Sequence, residues 1–174
     1  MEKIIKGVYK INAGSNVYYL EREKILVDTG MKEYSSVLKE IVEKIKIVVF
    51  THLHFDHIGN FELFKNAKFY AAKKEIEFFN RNALGAVLDK ELAKKFNVEL
   101  NDVSLLKEFE IIETPGHTCG SICLLYKDVL FSGDTLFENG IGRTDLPSSV
   151  EGIEISLKKL SRIKYEHLCP GHDY

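Results

Sequence analysis

The chain has 174 residues, of which 45% are hydrophobic and 29% are charged, a composition typical of one soluble globular domain rather than a disordered or fibrous chain. Lysine and arginine (24) nearly balance aspartate and glutamate (26), which counts against a nucleic-acid-binding domain because such domains are usually clearly basic. No segment approaches the ~18 apolar residues of a membrane span, and the first residues lack the apolar core of a signal peptide. We therefore expect a cytoplasmic protein without nucleic-acid or membrane partners, folded as one domain over residues 1–174.

The first third of the chain has the patterns of strands. Apolar and β-branched residues predict strands over Ile4–Ile11, Val17–Glu21 and Lys24–Asp28, with the last two joined as a hairpin. Apolar side chains at three- and four-residue steps then predict an amphipathic helix over Glu33–Lys44. The apolar run Lys46–Phe50 predicts a short buried strand.

The rest of the chain alternates helical and extended patterns. A helical zone is predicted over Lys73–Phe96, with an interruption near Gly85, and a further helix over Val150–Arg162. Strand-like runs lie at Phe109–Glu113, Ser121–Tyr126, Val129–Ser132 and Tyr165–Leu168. Strands followed by helices, twice over, predict an α/β layered domain.

Four potential metal ligands follow the predicted strand Lys46–Phe50 closely: His52, His54, Asp56 and His57. In extended backbone the side chains at i and i+2 point the same way, so His52 and His54 can reach one metal ion together. Asp56 and His57 are adjacent, and they need a turn after the strand to aim both side chains at a second ion. Such a pattern carries a low risk of coincidence in a chain with 6 histidines.

Three further candidates lie later in the chain, and each follows a strand-like run and a turn that contains glycine: His117, Asp134 and His172. α/β folds commonly place ligands and catalytic groups just past the carboxyl ends of strands. Five of the six histidines occupy such positions, and structural needs alone do not explain that concentration.

The order of these motifs resembles the metallo-β-lactamase-fold metallohydrolases. The resemblance extends from Asp28-Thr29-Gly30 to Pro170-Gly171-His172 and so covers nearly the whole chain. It implies a four-layer αβ/βα sandwich, in which two mixed β-sheets pack between outer helices and the metals lie in a groove at one edge. It also implies two divalent metal ions, with zinc favoured and iron or manganese as alternatives.

The same resemblance distributes the seven candidate ligands between two ions. It implies that the first ion is held by His52, His54 and His117. It implies that the second ion is held by Asp56, His57 and His172. Asp134 is implied to bridge the two ions together with a water or hydroxide, which makes Asp56 and Asp134 the carboxylates expected to act in catalysis.

The run Gly140–Pro147 looks like the Gly-Arg-Thr-Asp loop of short glyoxalase II-like hydrolases and of the related persulfide dioxygenases. Arg143 in this run is one of only four arginines, and it either contacts substrate or forms a structural ion pair with Asp145. Glyoxalase II enzymes of the longer type carry a carboxy-terminal helical domain that helps hold glutathione, whereas this chain ends two residues after His172. We therefore expect weak selection among thiols.

The expected reaction follows from the metal pair and from the absence of an obvious proton donor. Two ions ~3.5–4 Å apart can share one hydroxide near neutral pH, and we expect this hydroxide to attack an acyl carbonyl. No motif residue is an obvious general acid. A thiolate, with a thiol pKa of ~8.5, can leave without a proton, whereas an amine cannot leave so readily. Hydrolysis of a small-molecule thioester, as by a hydroxyacylglutathione hydrolase, is thus the predicted activity.

Other functions fit the same motifs less well. In the resembling persulfide dioxygenases, ligands that match His52, His117 and Asp134 hold a single iron, so an oxidoreductase is the main alternative. A nuclease of the same fold is disfavoured by the net charge of −2 and by the lack of an inserted basic arm. A lactonase is a further alternative.

The remaining candidate residues have less chemical significance. Three cysteines in a chain without an export signal argue against a disulfide framework. Cys119 lies close to His117 and could be a ligand, but buried cysteine is the commoner outcome. His167 has no motif partner and is expected in a packing or surface role. Asp28 is expected to support a turn or a ligand rather than to bind metal.

Overall fold

The computed structural model describes all residues 1–174 and contains two mixed β-sheets. The larger sheet has seven strands in chain order: β1 (Glu2–Ile5), β2 (Val8–Ala13), β3 (Ser15–Leu20), β4 (Ile25–Val27), β5 (Ile47–Val49), β6 (Lys68–Ala71) and β7 (Leu100–Asp102). Strands β1 to β4 pair antiparallel, and β4 to β7 pair parallel.

The smaller sheet has four strands in the order β11-β10-β9-β8: β8 (Glu110–Glu113), β9 (Ile122–Tyr126), β10 (Val129–Gly133) and β11 (His167–Pro170). Strand β9 pairs antiparallel with β8 and with β10, and β11 pairs parallel with β10. Strands β8, β10 and β11 therefore all end at the same edge of this sheet.

Five α-helices connect the strands: α1 (Phe55–Ile58), α2 (Lys73–Arg81), α3 (Ala83–Val87), α4 (Lys90–Lys95) and α5 (Ile153–Leu160). Four short 3₁₀ helices complete the secondary structure: Lys32–Leu38, Val42–Lys44, Phe61–Phe64 and Val103–Leu105. None of the helices combines the length and the apolar character that a membrane crossing requires.

Successive residues of a buried strand point to opposite faces of its sheet. One face of each sheet therefore packs against the other sheet, and the opposite face packs against helices. On β3, Tyr18 and Leu20 point into the core between the sheets, whereas Val17 and Tyr19 point into the core beneath the helices. From the smaller sheet, Phe131 meets Tyr18 with ring centroids 5.1 Å apart. Each such fully buried side chain contributes about 1.5–3 kcal/mol of hydrophobic stabilisation.

The outer face of the smaller sheet is covered by α5. Leu160 of this helix packs with Ile112, Cys123 and Leu130 in a separate buried cluster. Helices thus lie outside both sheets, and the predicted αβ/βα sandwich is confirmed.

Two predicted elements near the amino terminus are wrong. The predicted strand Ile4–Ile11 is two strands, because Gly7 adopts a positive φ of 84° and turns the chain between β1 and β2. The predicted helix Glu33–Lys44 is a pair of 3₁₀ helices with i→i+3 hydrogen bonds. The apolar stripe there is rich in β-branched residues, which favour α-helix weakly, and Leu38 and Ile41 reach the core without a full α-helix.

The helical zone Lys73–Phe96 is also more divided than predicted. The breaks fall at Asn82 and at Leu88, not at Gly85. The Asn82 side chain accepts a hydrogen bond from the Gly85 backbone N–H at 3.0 Å and so begins α3. Leu88 ends that helix with a positive φ of 63°.

Candidate metal centre

The seven predicted ligands gather at one edge of the sandwich, where strands of both sheets end. His52 and His54 follow β5, and the short helix α1 then turns the chain so that Asp56 and His57 face the same centre. The smaller sheet contributes the other three, which follow β8, β10 and β11: His117, Asp134 and His172.

One group consists of three buried histidines: His52, His54 and His117. The Nε2 atom of His117 lies 2.9 Å from Nδ1 of His54 and 3.3 Å from Nε2 of His52. The structure therefore brings together the three residues that the resemblance assigns to the first ion.

A second group consists of Asp56, His57 and His172. Oδ2 of Asp56 lies 3.1 Å from Nε2 of His172 and 3.8 Å from Nε2 of His57. Asp134 stands between the two groups, because its Oδ2 is 3.6 Å from Nε2 of both His117 and His172. Its carboxylate can thus reach ions held by either group.

Hydrogen bonds around His52 and His117 leave two nitrogen lone pairs facing each other. His117 Nδ1 donates to the carbonyl oxygen of Arg143 at 2.7 Å, and a carbonyl can only accept. The Thr51 hydroxyl donates to Asp28 Oδ2 at 2.8 Å, so His52 Nδ1 donates to that hydroxyl over 3.1 Å. In the neutral rings the inward Nε2 atoms carry no hydrogen, although they are 3.3 Å apart. Two lone pairs at this separation repel each other, and a metal ion that accepts both would remove the repulsion.

His57 and Asp134 supply independent evidence that the residues fit a metal. His57 Nε2 and Asp134 Oδ1 are buried without a hydrogen-bond partner, and they lie 3.2 Å apart. Buried polar atoms are normally paired. Imidazole nitrogen and carboxylate oxygen are ligands that zinc and related divalent ions accept, so an ion fits the otherwise unpaired atoms.

Burial keeps the three histidines of the first group neutral. Desolvation lowers the pKa of His52, His54 and His117, and it brings that of His54 to about 3. Neighbouring imidazoles lower the pKa of His52 and His54 further. Because metals bind the neutral imidazole, these side chains are already in the form that binds.

Negative charge surrounds His57. Burial by itself lowers its pKa, but Asp134, Asp56 and Asp28 outweigh that effect and hold the pKa well above the ordinary value. Burial raises the pKa of Asp56 and Asp134, yet the charge of His57 overcomes it and holds both below their ordinary range. The three carboxylates that favour a positive charge on His57 would equally favour a divalent metal ion at this position.

A sequence profile described as the Metallo-beta-lactamase superfamily matches residues 12–172. The chain belongs to this superfamily. Two similar members are probable metallo-hydrolases of Methanocaldococcus jannaschii. One is 36% identical over 159 residues, covering 86% of this chain and 70% of that protein. The other is 33% identical over 190 residues, covering 95% and 92%.

A hydroxyacylglutathione hydrolase of Citrobacter koseri is 34% identical over 155 residues, which cover 86% of this chain but 57% of that protein. The crystal structure of TTHA1623 in a di-iron-bound form superposes with a TM-score of 0.74 at 24% identity, covering 96% of this chain and 92% of that one. At that identity the likeness establishes the fold alone. The metallo-hydrolase relatives and the gathered His and Asp groups together support a metal-dependent hydrolase of the superfamily.

Three residues that the sequence analysis did not single out form hydrogen bonds with the segment His52–His54: Thr51, Glu75 and Ser148. The Ser148 Oγ lies 2.8 Å from His54 Nε2, although the two residues are 94 positions apart. No spacing in the sequence could have indicated that contact. Thr51 directly precedes His52, and this adjacency was the only indication in the sequence that it contacts a ligand.

Gly171, which precedes the candidate ligand His172, lies too close to other candidate ligands to carry a side chain. A Cβ atom at Gly171 would overlap Asp134 Oδ1 and lie 2.8 Å from His57 Cε1. Only glycine therefore lets the turn after β11 pass under the centre.

A cavity of about 460 Å³ opens over the two groups of candidate metal ligands. Five of the seven candidate ligands form its floor: His54, Asp56, His117, Asp134 and His172. Arg143 lines the cavity, but its Nε and Nη2 donate to the two carboxylate oxygens of Asp145 at 2.9 and 3.0 Å. The structure thus shows the ion pair that was one of the two interpretations of Arg143.

The remaining candidates lie outside this centre. Cys119 contacts the Lys74 carbonyl oxygen at 3.8 Å and lines a separate cavity of about 120 Å³. Cys123 and Cys169 are buried in the core. His167 is half-buried at the start of β11, at the opposite end of that strand from His172.

Proposed function

We propose that the chain hydrolyses small-molecule thioesters with two divalent metal ions, in the manner of the short glyoxalase II-like hydrolases. The observation that carries the proposal is the set of seven candidate ligands, six in two groups of three and Asp134 between them. The similarity to a hydroxyacylglutathione hydrolase supports the choice of thioesters.

In this proposal the first ion is held by His52, His54 and His117, and the second by Asp56, His57 and His172. Asp134 reaches both groups, so its carboxylate is assigned as the shared ligand. Zinc is the favoured metal because the site offers mainly imidazole nitrogen, and iron and manganese accept the same nitrogen and oxygen donors.

Divalent ions bound in such a site lower the pKa of water to about 7 and polarise a carbonyl group. Asp56 and Asp134 are held ionised, so they accept hydrogen bonds from the attacking water and orient it. The water oxygen joins the acyl carbon, and the carbon–sulfur bond breaks with its electron pair on sulfur. The products are a carboxylate and a thiol, with the second proton of the water passing to solvent.

The leaving group follows from the same carboxylates. Because Asp56 and Asp134 are ionised at neutral pH, neither holds a proton of its own to give to a departing amine. A thiolate needs no such proton, since a thiol has a pKa of only ~8.5. A thioester therefore suits the chemistry of the cavity better than an amide.

The proposal is tested with S-lactoylglutathione, a simpler thioester and glutathione persulfide, each assayed with an oxygen electrode in the cell. We expect release of free thiol from the thioesters without oxygen consumption, and close to two ions per chain by elemental analysis of metal-replete protein. His172→Asn should lose one ion and most of the activity, because it removes a ligand of the second group.

The matched control for that variant is His167→Asn, which changes a histidine outside the centre and should keep both ions and the activity. Oxygen uptake with the persulfide by the iron-loaded protein, together with no thioester cleavage in any metal form, would establish the dioxygenase alternative. A reproducible ceiling of one ion per chain would point the same way.

A further inference from the structure

We propose that the cavity over the centre receives an uncharged, apolar acyl chain, a specificity that rests on the proposed thioesterase function. Its walls carry Phe55, Leu88, Ile141 and Leu146 above the polar floor. Phe55 is 38% exposed and Ile141 is 43% exposed, although most large apolar side chains of the molecule are buried. A substrate chain that covers them removes apolar surface from water, which favours binding.

The charge of the cavity walls favours the same kind of substrate. Arg143 is the only lysine or arginine that lines the cavity, and both carboxylate oxygens of Asp145 already bind its guanidinium. A carboxylate-bearing carrier such as glutathione would therefore have to share or displace the Asp145 partner of Arg143, whereas a neutral carrier would not.

The experiment compares thioesters of the neutral thiol N-acetylcysteamine that carry acetyl, butyryl and hexanoyl groups, together with hexanoylglutathione. We expect kcat/KM to rise at least about tenfold from acetyl to hexanoyl, since even a single methylene in an apolar pocket can be worth about tenfold. Hexanoylglutathione should be no better a substrate than its N-acetylcysteamine counterpart. Ile141→Ser should flatten the dependence on chain length. The matched control Ile155→Ser, on the exposed face of α5, should keep it.

Two results would overturn this specificity in different ways. A flat chain-length profile would contradict the apolar acyl subsite, and a clear preference for the glutathione thioester would contradict the expectation about the carrier. Either result would leave thioester hydrolysis intact. Failure to cleave any thioester in any metal form would contradict the proposed function as well.

A buried carboxylate outside the cavity carries a second inference. The structure assigns Glu75 of α2 as a positioning residue that ties together the two loops of the first histidine group. Its Oε1 accepts from the backbone N–H of Leu53, which stands between His52 and His54, at 3.0 Å. Its Oε2 accepts from the Thr118 hydroxyl at 2.8 Å, in the loop that follows β8.

The surroundings of Glu75 require a carboxylate rather than an amide. The Gly120 N–H also donates to Oε2, at 3.0 Å, so all three partners are donors. The Ser121 hydroxyl lies 2.8 Å from Thr118 Oγ1 and can donate to it, which leaves the Thr118 proton for Glu75. A glutamine would turn its NH₂ group toward one set of these donors, leave them unpaired and let the loops separate.

The test is Glu75→Gln, with zinc affinity measured by competition against a chromophoric chelator. We expect one of the two sites to bind zinc about 10–100-fold more weakly, the range found when residues that support ligands are changed. The absorption bands of the cobalt-substituted protein should shift as well. Glu77→Gln, on the exposed side of the same helix, is the matched control and should bind as the unaltered chain does.

A purely structural role predicts a different result. In that case the metal-free variant would unfold at a lower temperature, but both zinc affinities and the cobalt spectrum would stay unchanged, and the assignment would be overturned. If Glu75→Gln fails to fold, Thr118→Val removes one of the three hydrogen bonds and should weaken zinc binding to a smaller extent. Unchanged affinity in folded Thr118→Val would then contradict the inference.

Discussion

Replacing Asp134 with asparagine should lower kcat of the proposed thioesterase by more than about 100-fold, the upper end of what residues supporting a metal ligand cost. The carboxylate reaches both ligand groups, with Oδ2 3.6 Å from Nε2 of His117 and of His172. Asparagine keeps the shape but removes the negative charge and one acceptor oxygen. We therefore expect metal content to fall toward one ion per chain, measured by elemental analysis beside the steady-state assay.

Two comparisons make the Asp134 result specific. Asp128→Asn makes the same chemical change at the far end of the smaller sheet, before β10, and should keep both ions and the activity. Arg143→Ala should change kcat and metal content much less. The ion pair between the Arg143 side chain and Asp145 is exposed and contributes little to stability. An Asp134→Asn protein with two ions and near-normal turnover would show that the bridging assignment is wrong.

Much of the sandwich could be predicted because its central strands are continuous apolar runs. Val129–Gly133 is buried at every position and supplies side chains to two cores, so the sequence pattern and the packing agree. Strands β6 and β7 escaped prediction because they are short and mix apolar with charged or polar residues, whereas the similarly short β4 and β5 are apolar throughout. The α-helix predicted over residues 33–44 was wrong for another reason, because the apolar spacing there fits both an α-helix and the 3₁₀ helices that are present.

The candidate ligands were accessible to sequence analysis because short spacings report on local backbone geometry. His52 and His54 share a direction in any extended chain, and strand ends converge in any layered α/β fold. Ser148 and Glu75 were not accessible, because their contacts join segments that only the tertiary fold brings together. Arg143 shows the same limit, since the sequence left two interpretations open and the Asp145 pair appears only in the structure.

Asp28 connects both ligand groups without belonging to either. Its Oδ2 accepts from His57 Nδ1 and from the Thr51 hydroxyl, both at 2.8 Å, and its Oδ1 accepts from the Thr51 N–H at 2.8 Å. The Thr51 hydroxyl in turn holds His52. Through these bonds one buried carboxylate keeps a proton on Nδ1 of two candidate ligands, so that Nε2 of each is the nitrogen available to a metal ion.

We expect Asp28→Asn to weaken zinc binding about 10–100-fold, with a matching loss of activity at limiting zinc. The amide oxygen can still accept from the Thr51 N–H, but the NH₂ group then faces the proton on His57 Nδ1. His57 must shift that proton to Nε2, where it points at the centre and blocks the lone pair.

Chelator competition measures the zinc affinity of Asp28→Asn, and thermal unfolding of the metal-free variant checks its fold. Asp102→Asn, which keeps its cap on the Ser104 N–H, is the matched control. Unchanged zinc affinity in folded Asp28→Asn would show that the His57 tautomer does not depend on this carboxylate.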